Sequence, residues 1–211
     1  MHFFLYICGL LHYFVTLYNN ILTLNYKELF HRIVALLSSP AKTWDAIINA
    51  GDERMVLPGF VYPMIGLCGL SEFVGAFIGR DLVPDVFQVA LTRSCGVCVS
   101  LFVGFFLASY LIKQINGRLN CETSDDEIQG FVGYSMVVTF VLQIVSSLFS
   151  ILIIHWVLQI YTLFVVFEGA RRMMKVCESR LTMYTIVTTL IILLSPSVIE
   201  LIFDKLSVTL N

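Results

Sequence analysis

One stretch constrains the fold of this chain more than any other. From Val86 to Ile112 the sequence is apolar except for a few small polar residues and a single charge, Arg93. A helix of this length reaches about 40 Å, which is enough to cross a lipid bilayer. Four small residues recur at every fourth position, where a helix brings them onto one face: Gly96, Ser100, Gly104 and Ala108. Because small residues let membrane helices approach closely, we expect this helix-packing stripe to contact other helices.

Composition extends this conclusion to the whole chain. Of its 211 residues, 58% are hydrophobic and only 13% are charged, which predicts an all-α, polytopic membrane helix bundle rather than a soluble domain. The net charge of −2 is uninformative, because the charges are confined to short gaps, but the absence of a basic patch argues against nucleic-acid binding. Cys68, Cys95 and Cys98 fall inside apolar segments, so we interpret them as small apolar residues rather than as disulfide partners.

Hydropathy predicts five transmembrane helices. Between Glu127 and Glu168 no residue carries a formal charge at neutral pH, and a single helix over this run would reach about 60 Å, twice the hydrocarbon thickness. We therefore expect two helices there, joined by a turn between Ser146 and Ser150. The predicted spans, which make up a domain from 57 to 211, are about 57–79, 86–112, 129–148, 151–169 and 181–203.

Residues 25–56 precede the first span and carry two amphipathic patterns. Over residues 26–39 the apolar side chains fall on one helical face and the charged side chains on the other. Ser39-Pro40 then predicts the start of a second short helix, which presents Trp44 on its apolar face and ends at Gly51. These cytoplasmic helices either lie on the membrane surface or pack on the protein's own cytoplasmic face.

Residues 1–24 form an apolar leader with three possible origins. The leader lacks the basic start and the small-residue cleavage site of a signal peptide. It is an extra helix, an uncleaved anchor, or translated sequence upstream of the real start. We favour the last of these, because organised patterning begins only near Asn25.

The distribution of basic residues predicts the orientation of the bundle. Ten of the 13 lysines and arginines lie before the first span, between the second and third, or between the fourth and fifth, which are all on one side. The other side holds Arg80 and Lys205. Since cytoplasmic segments carry the excess of basic residues, residues 26–56 are expected in the cytoplasm and the C-terminus outside.

Glu72 and Arg93 form the sharpest candidate constellation. Each lies about 10 Å inside the outer end of its predicted span, on antiparallel neighbouring helices. Charges inside a membrane are costly and usually pair within a bundle, so we predict that this intramembrane charge pair lies within salt-bridge distance. The pair serves either as a structural tie or as part of a proton or ion path.

A second predicted polar cluster lies at the cytoplasmic ends of the third and fourth spans, where Tyr134 and Glu168 are found. Glu168 also precedes Arg171 and Arg172 by three and four residues, the spacing of an ion pair within one helix. The alternatives are this local pairing, a cytoplasmic polar pocket, or a contact surface for a partner.

The sequence carries no motif for catalysis, cofactor binding or metal binding. Cys95 and Cys98 have the spacing of a redox motif, but they lie in the middle of an apolar helix, where a thiolate is disfavoured. The HExxH, GxSxG, Walker and dinucleotide-binding patterns do not occur. We therefore expect no catalytic residues, no cofactor and no metal site.

Several segments resemble the Yip1 family in its short bacterial form. They are LFHRIVALLSSPAKTWDAI at residues 29–47, VYPMIGLCGL at residues 61–70, Gly133-Tyr134 and Glu168-Gly169. The resemblance covers about residues 25–211, and its most distinctive part is the Ser-Pro-x-x-x-Trp run. It implies a cytoplasmic N-terminus followed by five spans in a bacterial cytoplasmic (inner) membrane. Eukaryotic members act in early secretory trafficking and contact Rab GTPases, a role that does not carry over to bacteria.

These observations lead to two main functional hypotheses. The first is a non-enzymatic protein that organises the membrane or binds partners, namely the lipid bilayer, other membrane proteins or a second copy of itself. The second is a small transporter or channel that uses Glu72, Arg93 and Glu168. An intramembrane enzyme is the weakest alternative. A water-filled cavity at Glu72 would favour transport, whereas a closed bundle with an exposed small-residue groove would favour partner binding.

Overall fold

The structure, a computed structural model, describes residues 26–78, 86–118, 123–149 and 152–210, with the side chains of residues 152–158 and 207–210 excepted. In this part of the chain every regular element is a helix, which confirms the all-α prediction. The apolar leader, residues 1–24, lies outside the described residues, so its origin stays a prediction.

Eight α-helices and two short helical turns follow one another in the described residues. The helices are α1 (Tyr26–Ser38), α2 (Pro40–Ala50), α3 (Tyr62–Gly75), α4 (Val86–Arg118), α5 (Asp125–Ser135), α6 (Val137–Phe149), α7 (Leu152–Arg172) and α8 (Glu178–Leu210). A 3₁₀ turn (Asp52–Met55) and a π-helical turn (Leu57–Val61) connect α2 to α3. We call α1 and α2 together the N-terminal hairpin.

The local signals in the sequence set several of these boundaries. Pro40 opens α2, where its missing N–H costs nothing, although Ser39 makes no side-chain capping bond. Gly51 ends α2 with a φ of 69°, a conformation that only glycine adopts without strain, and its N–H donates to the carbonyls of the last turn. Ser124 and Glu127 form a reciprocal capping box that starts α5.

Four helical segments are long and apolar enough to cross a membrane: Leu57–Gly75, Val86–Arg118, Asp125–Phe149 and Glu178–Leu206. They correspond to the first, second, third and fifth predicted spans, and they support a membrane protein. The predicted fourth span overlaps α7, which begins at Leu152. Helix α6 continues to Phe149, so residues 146–149 of the predicted turn are helical. The total of five spans stays a prediction.

Glycine-mediated close contacts hold the spans together. A Cβ atom added at Gly104 would lie 2.7 Å from the backbone of Pro196, and one added at Gly96 would lie 2.9 Å from the ring of Phe203. The helix-packing stripe of α4 therefore lies against α8 of the same chain. Ser100 and Ala108, the other two members of the stripe, are buried as well.

The N-terminal hairpin packs against the bundle with part of its apolar surface. Leu29 and Leu36 of α1 and Trp44 and Ile47 of α2 are buried in the same hydrophobic core as the spans. Each fully buried leucine or isoleucine side chain contributes roughly 1.5–3 kcal/mol relative to exposure. A second set of apolar residues on α1 remains exposed, and it consists of Tyr26, Phe30 and Val34.

Candidate functional site

The first polar cluster centres on Arg32 of α1. Its guanidinium donates to the hydroxyl of Tyr134 at 2.8 Å and pairs with the carboxylate of Asp52 at 2.7 Å. A weaker contact of 3.4 Å joins it to Glu28, one turn earlier on the same helix. The guanidinium carbon also lies 5.7 Å from the ring centroid of Tyr134, within cation–π range. Arg32 thus connects α1, the turn after α2 and α5.

The surroundings of Arg32 keep it charged. Partial burial acts to lower the pKa of the guanidinium, but the interactions with Tyr134 and Asp52 act in the opposite direction and prevail, so its pKa is raised. The Tyr134 hydroxyl in turn lies 3.5 Å from the backbone carbonyl of Asp52, as a donor. Arg32 is therefore a permanently charged group that is paired with Tyr134 and Asp52, which is the arrangement of a structural tie.

Trp44 anchors α2 in the bundle. Its side chain is fully buried, and its indole Nε1–H donates to the backbone carbonyl of Val165 at 3.1 Å. The ring centroids of Phe131 and Tyr134 each lie 6.1 Å from that of the indole. A Cβ atom added at Gly169 would lie 2.7 Å from the indole, so a glycine is needed there. Gly169, from the Glu168-Gly169 pair of the sequence analysis, therefore packs directly against the indole of Trp44.

Glu168 takes part in a second cluster with Arg172. The carboxylate accepts from Arg172 Nε at 2.9 Å, which is the local pairing that the sequence offered as one alternative. Arg172 also bridges to Asp45 of α2, and both carboxylates raise the pKa of its guanidinium, chiefly through their hydrogen bonds. Although both residues are described, no hydrogen bond joins Tyr134 to Glu168. Instead, Tyr134 contacts Arg32 of α1. Glu168 contacts Arg172, which in turn contacts Asp45 of α2.

A fourth attachment lies where the two helices of the hairpin meet. Tyr161 of α7 donates its hydroxyl to the backbone carbonyl of Leu37 at 2.7 Å. Four points of the hairpin are therefore fixed, namely Arg32, Leu37, Trp44 and Asp45. The sequence analysis singled out neither Tyr161 nor Asp52, because nothing in their local sequence indicates contacts with residues more than 80 positions away.

The surroundings of Glu72 and Arg93, at the outer end of the bundle, differ from the prediction. The Glu72 carboxylate accepts from Ser147 at 2.6 Å and from Gln143 at 3.3 Å, both on α6. Among the described residues no ion pair within 4 Å joins Glu72 to Arg93, so the predicted direct salt bridge is wrong. The reason is the close approach of α3 to α6: a Cβ atom added at Gly75 would lie 2.2 Å from the carbonyl of Ser147.

Glu72 and Arg93 nevertheless border one cavity. Its volume is about 500 Å³, and it lies between α3, α4, α6 and α8. Its lining combines three carboxylates, one guanidinium, one amide and one hydroxyl, from Glu72, Glu200, Asp204, Arg93, Gln143 and Thr92. The structure thus brings the predicted pair together around a polar space rather than in direct contact.

The cysteines of the described residues are unpaired thiols. Every cysteine in the described residues is free, and Cys98 donates weakly to the carbonyl of Ile65 at 3.8 Å, consistent with a packing role. The described part of the chain contains no group of three or more His, Cys, Asp or Glu side chains arranged to hold a metal ion.

Comparison with known proteins gives one match. The family model described as the Yip1 domain matches residues 34–199, which include most of the N-terminal hairpin and the cluster of Asp45, Glu168 and Arg172, but not Arg32. Neither the curated proteins nor the solved structures yield a match.

Proposed function

Because the chain belongs to the Yip1 family, we propose that it is a non-enzymatic membrane protein that organises the cytoplasmic leaflet and binds partner membrane proteins there. The single observation that supports this proposal is the attachment of the N-terminal hairpin. An amphipathic segment that merely rests on a membrane needs no fixed partners in the bundle. This hairpin instead has a buried tryptophan and two arginine clusters that hold it in one orientation.

Rigid presentation is useful to a binding protein. A surface that is already ordered loses less conformational entropy on association, so it binds more tightly for the same contacts. The turn after the hairpin presents Arg54 and Met55, both exposed, on the side that we assign to the cytoplasm. Arginine and methionine are enriched in protein interfaces, which makes this turn our candidate partner-binding surface. The bacterial inner membrane and the cytoplasmic N-terminal side are part of the same proposal.

Site-specific photocrosslinking in intact membranes tests the proposal. A photoreactive amino acid at Met55 is expected to capture one or a few discrete membrane proteins. The matched control is the same probe at Leu194 of α8, which has a similar exposure but faces outward from a membrane span. Crosslinks of equal yield and identity at both positions, or none at Met55, would contradict the proposal.

The outer cavity supports a second candidate function, that of a small transporter or channel. The carboxylates and the guanidinium that line this cavity provide polar groups inside the bundle, which a charged solute or a proton needs in order to cross it. Glu168, which the sequence grouped with Glu72 and Arg93, is engaged by Arg172 at the opposite end and does not line this cavity. The protein in liposomes would then conduct protons or cations, and Glu72→Gln would abolish the flux. Identical flux in both proteins would rule out this role for Glu72.

A further inference from the structure

The cavity between α3, α4, α6 and α8 is lined by charges of both signs that do not pair with one another. Its volume of about 500 Å³ lies within the range of roughly 300–1,000 Å³ that is usual for small-molecule sites. The carboxylates of Glu72, Glu200 and Asp204 and the guanidinium of Arg93 all line it. None of the salt bridges among the described residues engages any of these groups.

The carboxylates of this cavity repel one another. Glu200 and Asp204 lie one turn apart on α8, where like charges are unfavourable. Glu200 also interacts electrostatically with Glu72 of α3. The lining therefore carries three negative charges against one positive charge, and inside a bundle of low dielectric constant such an excess favours a bound cation.

Glu72 is held in position to receive that cation. Both of its donors, Ser147 Oγ and Gln143 Nε2, contact the same carboxylate oxygen, Oε2. In the described part of the chain Oε1 accepts no hydrogen bond, so it is free to accept one from a ligand. A carboxylate whose orientation is already fixed loses less conformational entropy when it binds an ammonium group.

Arg93 provides the opposite charge. Its side chain is exposed at the cavity and donates no hydrogen bond to any other described residue. The planar guanidinium presents paired N–H donors that match the two oxygens of a carboxylate. Opposite charges that line one cavity without meeting leave room between them for a ligand that carries both charges.

The cavity is open at its mouth and closed at its base. Arg93, Glu200 and Asp204 are all exposed, whereas Gly96 is buried. A Cβ atom added at Gly96 would lie 2.9 Å from the ring of Phe203, which also lines the cavity. The close contact of α4 with α8 therefore closes the base, and a small solute can enter from the exposed side.

We propose that this cavity binds a small zwitterion with one ammonium and one carboxylate group, such as an amino acid. The ammonium lies among Glu72, Glu200 and Asp204, and the carboxylate pairs with Arg93. The inference rests on the second candidate function, because it names the class of solute that the outer cavity of a transporter would take. It accounts both for the excess of carboxylates and for the arginine that remains unpaired beside them.

Isothermal titration calorimetry of the full-length protein in detergent tests the charge requirement, with 4-aminobutyrate, butylamine and butyrate as probes. These probes share one chain length and differ only in their charged groups, and glycine and 6-aminohexanoate extend the series to other charge separations. We expect one of the amino acids to bind at least about tenfold more tightly than either singly charged probe, because charge-assisted hydrogen bonds form at both ends. Equal affinity for butylamine would overturn the zwitterion in favour of a simple cation, and no saturable binding of any amino acid would overturn the site.

Arg93→Gln and Glu200→Gln each remove one charge that the ligand needs. Each change is expected to weaken amino-acid binding about tenfold, and Arg93→Gln should not weaken the binding of butylamine, which a misfolded protein would lose. Arg118→Gln and Asp126→Asn are the matched controls, because they remove exposed charges at the opposite end of the bundle and should leave binding unchanged. Equal binding by all five proteins, or equal losses in the controls, would overturn the inference.

A lipid headgroup is the other source of such a ligand, since phosphatidylethanolamine carries an ammonium group and an anionic phosphate. If the site takes a free solute, phosphatidylethanolamine added in mixed micelles should leave amino-acid binding unchanged. Competition by this lipid would overturn the assignment to a free solute.

The outcomes also separate this inference from the second candidate function. Specific amino-acid binding without flux in liposomes would keep the site and remove the transport role. Flux that depends on Glu72, without any amino-acid binding, would keep the transport role and remove this site.

Discussion

Removal of the Trp44 side chain should release α2 from the bundle. Trp44→Ala deletes a fully buried indole, and core tryptophan-to-alanine changes typically cost about 3–5 kcal/mol. The change also leaves the Val165 carbonyl without its side-chain donor, which is worth about 1 kcal/mol. The arginine contacts of the hairpin remain, so we expect the loss to fall mainly on the attachment of α2 and not on the spans.

Hydrogen exchange measured by mass spectrometry, in detergent or nanodiscs, reports this attachment directly. Since about 1.4 kcal/mol corresponds to a factor of ten, a loss of about 3–5 kcal/mol accelerates exchange in α2 by about two to four orders of magnitude. Trp44→Phe keeps most of the buried area but lacks the N–H donor, so its effect should be much smaller, at about 1–2 kcal/mol.

Phe30→Ala is the matched control for this prediction. It removes an aromatic ring from the same hairpin, but that ring is 67% exposed, and such changes usually alter stability by less than 0.5 kcal/mol in magnitude, as a rough guide. Two results would refute the reasoning: unchanged exchange of α2 in Trp44→Ala, or equal acceleration in Phe30→Ala.

Two further predictions concern the glycines and the outer carboxylate. Gly169→Ala should destabilise the protein by about 1–3 kcal/mol in a thermal denaturation assay, because its Cβ would meet the buried indole. Gly66→Ala is the control, because a Cβ atom there would meet open space, and it should not lower the stability of the protein. In double-mutant cycles, Glu72→Gln should couple to Ser147→Ala by about 0.5–3 kcal/mol and more weakly to Arg93→Leu, because Ser147 contacts the carboxylate and Arg93 does not. Stronger coupling to Arg93 would show that the two charges meet directly.

The helices and their ends could be predicted from the sequence because their signals are local. Apolar runs, the proline after Ser39 and the glycine at position 51 depend on the chain within a few residues. The pairing of Glu168 with Arg172 is equally local, since both lie one turn apart on α7.

The partners of Glu72 were not predictable in the same way. Sequence places Glu72 and Arg93 on neighbouring spans at similar depth, but it does not state which neighbour each helix face meets. The close approach of α3 to α6, at Gly75 and Ser147, decides this. The bonds from Arg32 to Tyr134 and from Tyr161 to Leu37 join residues more than 100 positions apart, and no periodicity signals such contacts.

The fixed attachment of the N-terminal hairpin to the bundle is the central claim, and the distance between two spin labels measures it most directly. Nitroxides introduced through Val34→Cys on α1 and Leu163→Cys on α7, both at exposed positions, should give one narrow distance distribution in a cysteine-free background in liposomes. The same pair in a Trp44→Ala variant should give a broader distribution, because the indole no longer anchors α2. A broad distribution with Trp44 present would show that the hairpin moves relative to the bundle and contradict the account.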